Sequence, residues 1–219
     1  MQSPFQEFEF YLGGNQIRFM FDQLKERFDL DARLSQKDWS LLVQHVKYVE
    51  LQKNQILLRP GEIANYCIFL MEGILRICNH HEGREYTRNI FTAGDFFTES
   101  GSFFSNQSFG FQMDALEDSK VFLLYKSDIQ FLETQSIEFA IFFRKQIERA
   151  LIFLTKKVLE NQKTALERFL EFRKLRASLL GRVPQYILAS YLNLTPEAYS
   201  RIQKQAQDID LDQEKAPSP

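Results

Sequence analysis

The residues best suited to chemistry lie near the carboxyl end of the chain and combine hydroxyls, a carboxylate and two cations. They are Thr195, Pro196, Glu197, Ser200, Arg201 and Lys204. The last four stand at i, i+3, i+4 and i+7, which predicts one polar stripe along a helix. An arginine can form two hydrogen bonds with guanine, a glutamate can accept one from cytosine N4, and a threonine beside free N–H groups suits a phosphate. The set therefore predicts contact with the base edges and backbone of DNA.

Two short helices are predicted to position this stripe. Pro184 suits the first turn of one helix, and Asn193 tolerates a left-handed backbone after its end. Thr195 and Pro196 then provide an N-cap and a first-turn proline for the second helix. Apolar residues can face inward on both helices: Ile187, Leu188, Ala189, Leu192, Ala198, Tyr199 and Ile202. The pattern predicts a helix-turn-helix, with an ordinary αα-hairpin and a solvated polar face as the alternative.

Positive charge is concentrated around these helices. Residues 161–207 hold eight Lys and Arg against three Glu, a balance of plus five, whereas the whole chain has a net charge of −2. A basic segment within an acidic chain is typical of a phosphate-binding module, although a basic run can also be an ordinary solvated surface. The near-neutral total argues against indiscriminate coating of nucleic acid.

The composition of the whole chain excludes several classes of protein. With 44% hydrophobic and 26% charged residues among 219, the chain is globular and has room for one or two domains. Its apolar runs are too short to span a bilayer and its start lacks a basic signal-peptide region, so we expect no membrane partner and a cytoplasmic location. Two cysteines without a CxxC pattern exclude a disulfide scaffold, and we expect no haem, iron–sulfur or metal site. His80 and His81 read as surface residues.

The middle of the chain has the two-residue period of β-structure. Residues 1 to about 46 read as a peripheral helical lead-in, and residues 48–126 as short strands separated by turns that contain glycine. The predicted strands are 48–51, 55–58, 66–71, 74–78, 87–91 and 121–125. So many short strands predict a small antiparallel barrel or sandwich.

A long helix over residues 137–157 is predicted to follow. Its heptad seam is apolar apart from Arg144, with Ile137, Leu151 and Val158 at a, and Ala140, Ile147 and Leu154 at d. A second face carries Phe139, Phe143, Ala150 and Phe153. Two apolar faces predict packing on its own domain and on a second copy of the chain, with a single buried helix in a monomer as the alternative. A further helix is predicted over 161–180, with Ala165, Phe169, Phe172 and Leu175 facing inward. The last segment, 208–219, is predicted to be a disordered acidic tail.

The motifs LLRPGE, YCIFLMEGILRI and FTAGDFF, followed by a loop with Glu99, resemble the effector domain of the Crp/Fnr family of bacterial transcription regulators. The sequence AxYLNLTPEAYSRIQK is most similar to the Bacteroidetes-type branch of that family. The resemblance implies an α+β fold: a jelly-roll-like antiparallel β-roll with N-terminal helices (1–135), a dimerisation helix (136–160) and a helix-turn-helix domain (161–207). It also implies a homodimer that binds double-stranded DNA, with RNA polymerase as a candidate further partner and an unknown small-molecule effector.

The predicted effector pocket departs from the family pattern. Cyclic-nucleotide binders of the family resemble one another in a Gly-Glu pair followed by Arg-Ser or Arg-Thr. Here Thr98 replaces the glycine, and Phe109 and Gly110 fall where the Arg-Ser or Arg-Thr pair would be. Glu99, followed by Ser100, remains at the position that the resemblance assigns to the ribose hydroxyl. A buried phosphate needs a paired cation, and 93–116 contains none, so we expect cyclic AMP to bind weakly or not at all. The pocket prefers an uncharged effector or is filled by Phe97, Phe103, Phe104, Phe109 and Phe111.

The sequence also allows functions other than DNA binding. If Glu72 and Gly73 form a two-residue hairpin, Cys67 lies opposite Cys78 and the two thiols could act as a redox pair, although buried cytosolic cysteines are usually inert. An enzyme that uses Glu99 lacks a second catalytic group nearby. A ligand-sensing or scaffold module whose C-terminal helices bind protein remains the alternative to a DNA-binding regulator.

Overall fold

The computed structural model describes residues 14–160 and 162–215. The first helices and strands are α1 (Gly14–Asp29), α2 (Gln36–His45), β1 (Val46–Leu51), β2 (Ile56–Leu58), β3 (Tyr66–Glu72), β4 (Ile74–His81), β5 (Arg84–Thr92) and β6 (Phe96–Phe97). The remaining ones are α3 (Ser100–Ser105), β7 (Phe111–Ala115), β8 (Ser119–Tyr125), α4 (Lys126–Gln135), α5 (Ile137–Glu160), α6 (Ala165–Leu175), a 3₁₀ helix (Ala177–Leu179), α7 (Gln185–Tyr191) and α8 (Pro196–Lys215). The predicted α+β class is confirmed.

The strands form two antiparallel sheets of four strands each. One sheet has the order β1-β8-β3-β6 and the other β2-β7-β4-β5. Their inner faces enclose one apolar cluster, to which Ile68 and Leu70 of β3, Leu75 of β4 and Met113 of β7 contribute buried side chains. The strand spacing predicted a small antiparallel barrel or sandwich, and the family resemblance implied the double-sheet roll that is observed.

The chain passes from one sheet to the other at Gly73, between β3 and β4. Gly73 has a φ of 102°, and a β-carbon there would lie 2.1 Å from Ser119 Oγ and 2.7 Å from Ser119 Cα. The predicted hairpin pairing of Cys67 with Cys78 is therefore wrong. Cys67 lies opposite Leu124 of β8, whereas Cys78 pairs with residues of β5 and β7 in the other sheet. Both cysteines are buried and free.

The two N-terminal helices belong to the core of the roll, so the expectation that they are peripheral is wrong. Phe21 and Phe28 of α1, and Trp39 and Leu42 of α2, are buried in the same cluster as the sheets. Phe28 stacks on Phe142 of α5 with ring centroids 3.7 Å apart. The apolar faces of these helices therefore close one side of the roll and also receive the long helix.

A buried carboxylate between α1 and α2 ties the N-terminal helices to α5. Asp31 Oδ2 accepts hydrogen bonds from Arg27 Nη1 (2.9 Å) and Gln146 Nε2 (2.7 Å), and Asp31 Oδ1 accepts one from Arg149 Nη2 (2.5 Å). Burial raises the pKa of Asp31, but hydrogen bonds from Arg149, Arg27 and Gln146 outweigh it, so the pKa lies well below its ordinary value. The backbone oxygen of Asp31 also accepts from Lys145 Nζ (2.8 Å).

The two faces of α5 differ as predicted in their surroundings. Phe139 and Phe143 are buried against the roll, together with Phe142, which the sequence pattern did not single out. The heptad seam instead faces solvent. Among its residues Ile137, Leu151 and Val158 are each about two-thirds exposed, at 66%, 65% and 66%. The chain thus presents an exposed, largely apolar seam along a helix of 24 residues.

The C-terminal unit consists of α6, the 3₁₀ helix, α7 and α8. Thr164 caps α6 in a reciprocal arrangement with Glu167, and Phe169 and Phe172 are buried as predicted. The prediction of a single helix to residue 180 is wrong, because α6 ends at Leu175. The prediction that Leu175 faces inward is also wrong, since this residue is 69% exposed. The prediction of disorder from residue 208 is wrong for 208–215. Here α8 continues because the segment lacks Gly and Pro, so the helix begun at Pro196 can propagate. Residues 216–219 lie outside the described part of the chain.

Candidate nucleic-acid interface and effector pocket

The turn between α7 and α8 has the predicted geometry. Asn193 adopts a left-handed backbone with a φ of 55°, and the Leu194 N–H donates to the Ala189 carbonyl at 2.9 Å. Thr195 Oγ1 accepts from the Ala198 N–H at 3.2 Å, which is the predicted N-cap of α8. Ala189 is fully buried where the two helices meet. The small side chain, the left-handed residue and the cap together hold α8 at a fixed angle to α7.

The two sides of α8 are separated as the sequence predicts. Tyr199 and Ile202 are buried against α6 and α7, and Tyr199 meets the Phe169 ring edge-on at 5.5 Å between centroids. The predicted site residues are all exposed: Thr195, Pro196, Glu197, Ser200, Arg201 and Lys204. Hydrogen bonds from its own backbone N–H and from Thr195 lower the pKa of Glu197, which keeps this carboxylate ionised as an acceptor. The stripe therefore presents one acceptor and two cations to solvent.

Much of the positive charge around the helix pair serves the fold. Arg168 donates to the carbonyls of Leu192 (3.1 Å) and Lys163 (2.8 Å), and so holds the end of α7. Arg176 donates to the Ile90 carbonyl, and Arg182 pairs with Glu117 of the roll. The charge balance of plus five thus overstates the number of cations available to a ligand. The exposed Arg201 and Lys204 on α8 are therefore better evidence for an anionic ligand than the total charge is.

The predicted effector residues meet at the start of α3, where Glu99 is occupied by the protein itself. Its side chain caps α3, because Oε1 accepts from the Gly101 N–H (2.9 Å) and Oε2 from the Ser102 N–H (2.8 Å). Glu99 is only 6% exposed, and Ser100 is the first residue of the helix. A carboxylate therefore fills the position at this helix terminus where an anionic ligand would find N–H donors.

The other predicted pocket residues surround that cap. Thr98 Oγ1 donates to the Tyr66 carbonyl at 2.8 Å. Phe109 lies against Gly101, since a β-carbon on that glycine would approach Phe109 Cδ2 to 3.1 Å. Gly110 takes a φ of 71° and turns the chain into β7. Lys126 reaches this region from the end of β8, but it binds the opposite end of α3 through Asn106 Oδ1 at 2.9 Å.

The candidate aromatic filling of the pocket divides into two groups. Phe97 stacks on Phe91 with centroids 3.5 Å apart, and Phe103 is buried beside Lys126. Phe104 and Phe109 are each 55% exposed, and Phe111 is partly buried. The inner rings are part of the core, whereas the outer two form an apolar rim around α3.

A buried ion network on the outer face of the second sheet was missed by sequence reasoning. Arg76 of β4 binds Asp114 of β7 in bidentate fashion, through Nε (3.1 Å) and Nη2 (2.9 Å). Its Nη2 also donates to Glu85 Oε2 of β5 at 3.2 Å. Burial opposes the charge of Arg76, but the bonds to Asp114 raise its pKa above the ordinary value. The only sequence signal was a charged residue within an apolar strand.

No group of three or more His, Cys, Asp or Glu side chains in the described ranges is placed to hold a metal ion. Within the same ranges no helix combines the length and apolar character needed to cross a bilayer.

The fold has two parts, in which a β-roll is joined through the long helix α5 to a helix-turn-helix unit. Residues 48–135 match the family model of the cyclic nucleotide-binding domain. A search of curated proteins found no match.

Solved structures share this architecture over most of the chain. FixK2 from Bradyrhizobium japonicum is 22% identical, covering 75% of this chain and 86% of its own, with a TM-score of 0.61. The c-di-GMP-responsive global regulator CLP of Xanthomonas campestris is 16% identical, covering 81% and 94%, with a TM-score of 0.63. A CooA variant from Carboxydothermus hydrogenoformans is 19% identical, covering 77% and 79%, with a TM-score of 0.60.

The chain therefore has the fold of the Crp/Fnr-type regulators, with residues 48–135 as its cyclic nucleotide-binding-type domain, and the resemblance inferred from the sequence is confirmed. The narrower assignment to a Bacteroidetes-type branch stays a prediction.

Proposed function

We propose that this protein is a homodimeric transcription regulator that binds specific sequences in double-stranded DNA through α8. The observation that carries the proposal is the division of α8 between a buried apolar side and an exposed polar side that holds Glu197, Ser200, Arg201 and Lys204. Arg201 suits guanine, Glu197 suits cytosine N4, and Thr195 and Lys204 suit backbone phosphates. The N-terminal half of α8 therefore reads base edges in the major groove, while α7 lies across it.

The exposed seam of α5 supports dimerisation. Three of its residues, Ile137, Leu151 and Val158, share one heptad position, with Arg144 between the first two, and expose about two-thirds of their surface. Apolar residues at this spacing associate with the same seam of a second helix. To enter successive major grooves, the two copies of α8 in such a dimer must lie about 34 Å apart, one helical turn of DNA, and the two-fold axis demands a roughly palindromic operator.

The effector pocket is proposed to exclude cyclic nucleotides. The Glu99 carboxylate already occupies the N–H groups of α3, and a phosphate brought to the same place would meet like charge. The aromatic residues around α3 favour an uncharged or apolar effector at this site. Such a ligand would shift the pose of the DNA-binding unit by binding one pose more tightly than the other.

The proposal is tested by selecting bound sequences from random duplex DNA and then measuring affinity for the selected operator by fluorescence anisotropy. Arg201→Ala should reduce discrimination between operator and non-operator DNA by about 5- to 150-fold, the range for one bidentate base contact. Lys204→Ala should weaken binding to all duplexes alike and flatten the salt dependence.

Lys37→Ala, which removes an exposed charge from α2, is the matched control and should bind like the wild type. Unchanged binding in both α8 variants would contradict the assigned surface. If the wild-type protein binds no duplex even at low ionic strength, the alternative of a ligand-sensing or scaffold module that binds protein is favoured.

A further inference from the structure

The DNA-binding unit is fastened to an open edge of the roll. β5 is the last strand of its sheet, and an edge strand leaves one row of backbone N–H and carbonyl groups without a strand partner. The Thr87 N–H donates to Ser190 Oγ of α7 at 2.8 Å, and Ser190 Oγ donates to the Glu85 carbonyl at 3.3 Å. Arg176 Nη1 donates to the Ile90 carbonyl at 3.0 Å. Ser190 and Arg176 of the C-terminal unit thus bind backbone groups on the open edge of β5.

Apolar contacts accompany these hydrogen bonds. Ile74, Ile90 and Leu116 of the roll are buried in one cluster with Phe172 and Leu188 of the C-terminal unit. Ser190 follows Leu188 and Ala189 on the helix that precedes the turn to α8, so its position fixes the helix that carries the recognition surface. The hydrogen bonds to β5 therefore determine where α8 points relative to the roll and to α5.

The residue that receives Ser190 is itself held by the buried ion network. The Glu85 carboxylate binds Arg76, which is anchored to Asp114 on the neighbouring strand. Arg76 therefore binds β5 from the side of β4, and Ser190 binds the open edge of β5. The docking point is held in place within the sheet.

One buried group at the same place opposes the docked pose. Thr87 Oγ1 is buried without a hydrogen-bond partner among the described residues, although the N–H of the same residue binds Ser190. A buried hydroxyl without a partner is destabilising. The docked pose is thus stabilised by the Ser190 bonds and weakened by the Thr87 hydroxyl, and single substitutions can shift it in either direction.

We propose that Ser190 is a positioning residue: by docking α7 on the edge of β5 it sets the distance between the two recognition helices of the dimer, and so the half-site spacing of the operator. This inference rests on the proposed function and concerns a residue that lies outside the recognition surface. The spacing between half-sites is a geometric property of the dimer, so it responds to the pose of α8 and not to its base contacts.

The test measures affinity for a set of operators whose half-sites are moved apart or together by one and two base pairs, and for a duplex with a single half-site. The full chain is used, and the wild type should prefer one spacing. Ser190→Ala should flatten that preference at least threefold while it leaves single-half-site affinity within twofold. Thr87→Val, which removes the unpaired hydroxyl and keeps the shape, should sharpen the preference.

Ser190→Thr, which keeps the hydroxyl, should restore a wild-type profile, and Ser178→Ala, in the exposed part of the 3₁₀ helix, is the matched control. A wild-type spacing profile in folded Ser190→Ala overturns the proposal and leaves the regulator function intact. An equal loss of affinity at every spacing also overturns it, because that result indicates a structural role. Failure of the wild type to bind any duplex would instead refute the proposed function on which the inference rests.

Discussion

Replacing Asp31 should reveal how strongly the N-terminal helices are held against α5. Its side chain is 1% exposed and receives hydrogen bonds from Arg27, Gln146 and Arg149. Charge-assisted hydrogen bonds contribute about 1.5–3 kcal/mol each, are not additive, and are weaker when the partner is solvated, as is the half-exposed Arg149. We therefore expect Asp31→Ala to lower the free energy of unfolding by about 2–4 kcal/mol, with a smaller loss in Asp31→Asn.

The effect should depend on pH in one direction. The folded-state pKa of Asp31 lies below the ordinary value of 3.8, so the folded state favours the ionised carboxylate. This contribution is fully present above the unfolded-state pKa and is lost as the pH falls through the folded-state pKa. The difference between wild type and Asp31→Asn should be constant from pH 5 to 7 and should shrink at pH 3.

Urea denaturation followed by tryptophan fluorescence measures these differences, because Trp39 of α2 lies in the same core. Asp29→Asn is the control, since Asp29 is an exposed carboxylate two residues away. A loss below about 0.5 kcal/mol in Asp31→Ala would refute the reasoning. An equal loss in Asp29→Asn, or a difference that grows at pH 3, would refute it as well.

Three further outcomes are expected. Gly73→Ala should lower the free energy of unfolding by about 3 kcal/mol or more in thermal unfolding, because the new β-carbon meets the Ser119 backbone. Gly61→Ala, at a similar φ of 95° but with open space around it, should lower it by about 1 kcal/mol. Equal losses of stability in the two variants would contradict this. Mild oxidant should leave two titratable thiols when the chain is then unfolded, because Cys67 and Cys78 lie in different sheets and burial raises the pKa of each to about 12; formation of an intramolecular disulfide would count against this. Leu151→Glu should yield monomers in sedimentation, whereas Leu175→Glu, equally exposed but off the seam, should not; an unchanged mass for Leu151→Glu would place the interface elsewhere.

Local patterns predicted the elements that end at turn residues and the buried and exposed faces of α8. Asn193, Thr195 and the inward Tyr199 were all predicted, because caps, left-handed residues and helical periods act over a few positions. The sequence did not predict β6, α3 and β7 between Phe96 and Ala115, because the phenylalanines of this region follow neither a helical nor a strand period. The helix α4 was missed as well.

Pairing over long distances could not be predicted from the same patterns. The hairpin assumed at Gly73 gave the wrong partner for Cys67, because a glycine turn looks the same whether it joins strands of one sheet or of two. The contact of Arg76 with Asp114 spans 38 residues, and that of Thr87 with Ser190 spans 103. Contacts of this kind depend on how whole elements pack, which alternation and composition do not encode.

The crossing at Gly73 also bears on how the chain acquires its structure during synthesis. β1 and β3 both pair with β8, which begins at Ser119. β8 is synthesised nearly seventy residues after β1 ends at Leu51, and until then neither strand can form this pairing. Until then a ribosome-bound chain exposes apolar strands with open edges, and long-range pairing of this kind is slow and prone to aggregation. We therefore expect the nascent β-roll to depend on chaperones until β8 has emerged from the ribosome.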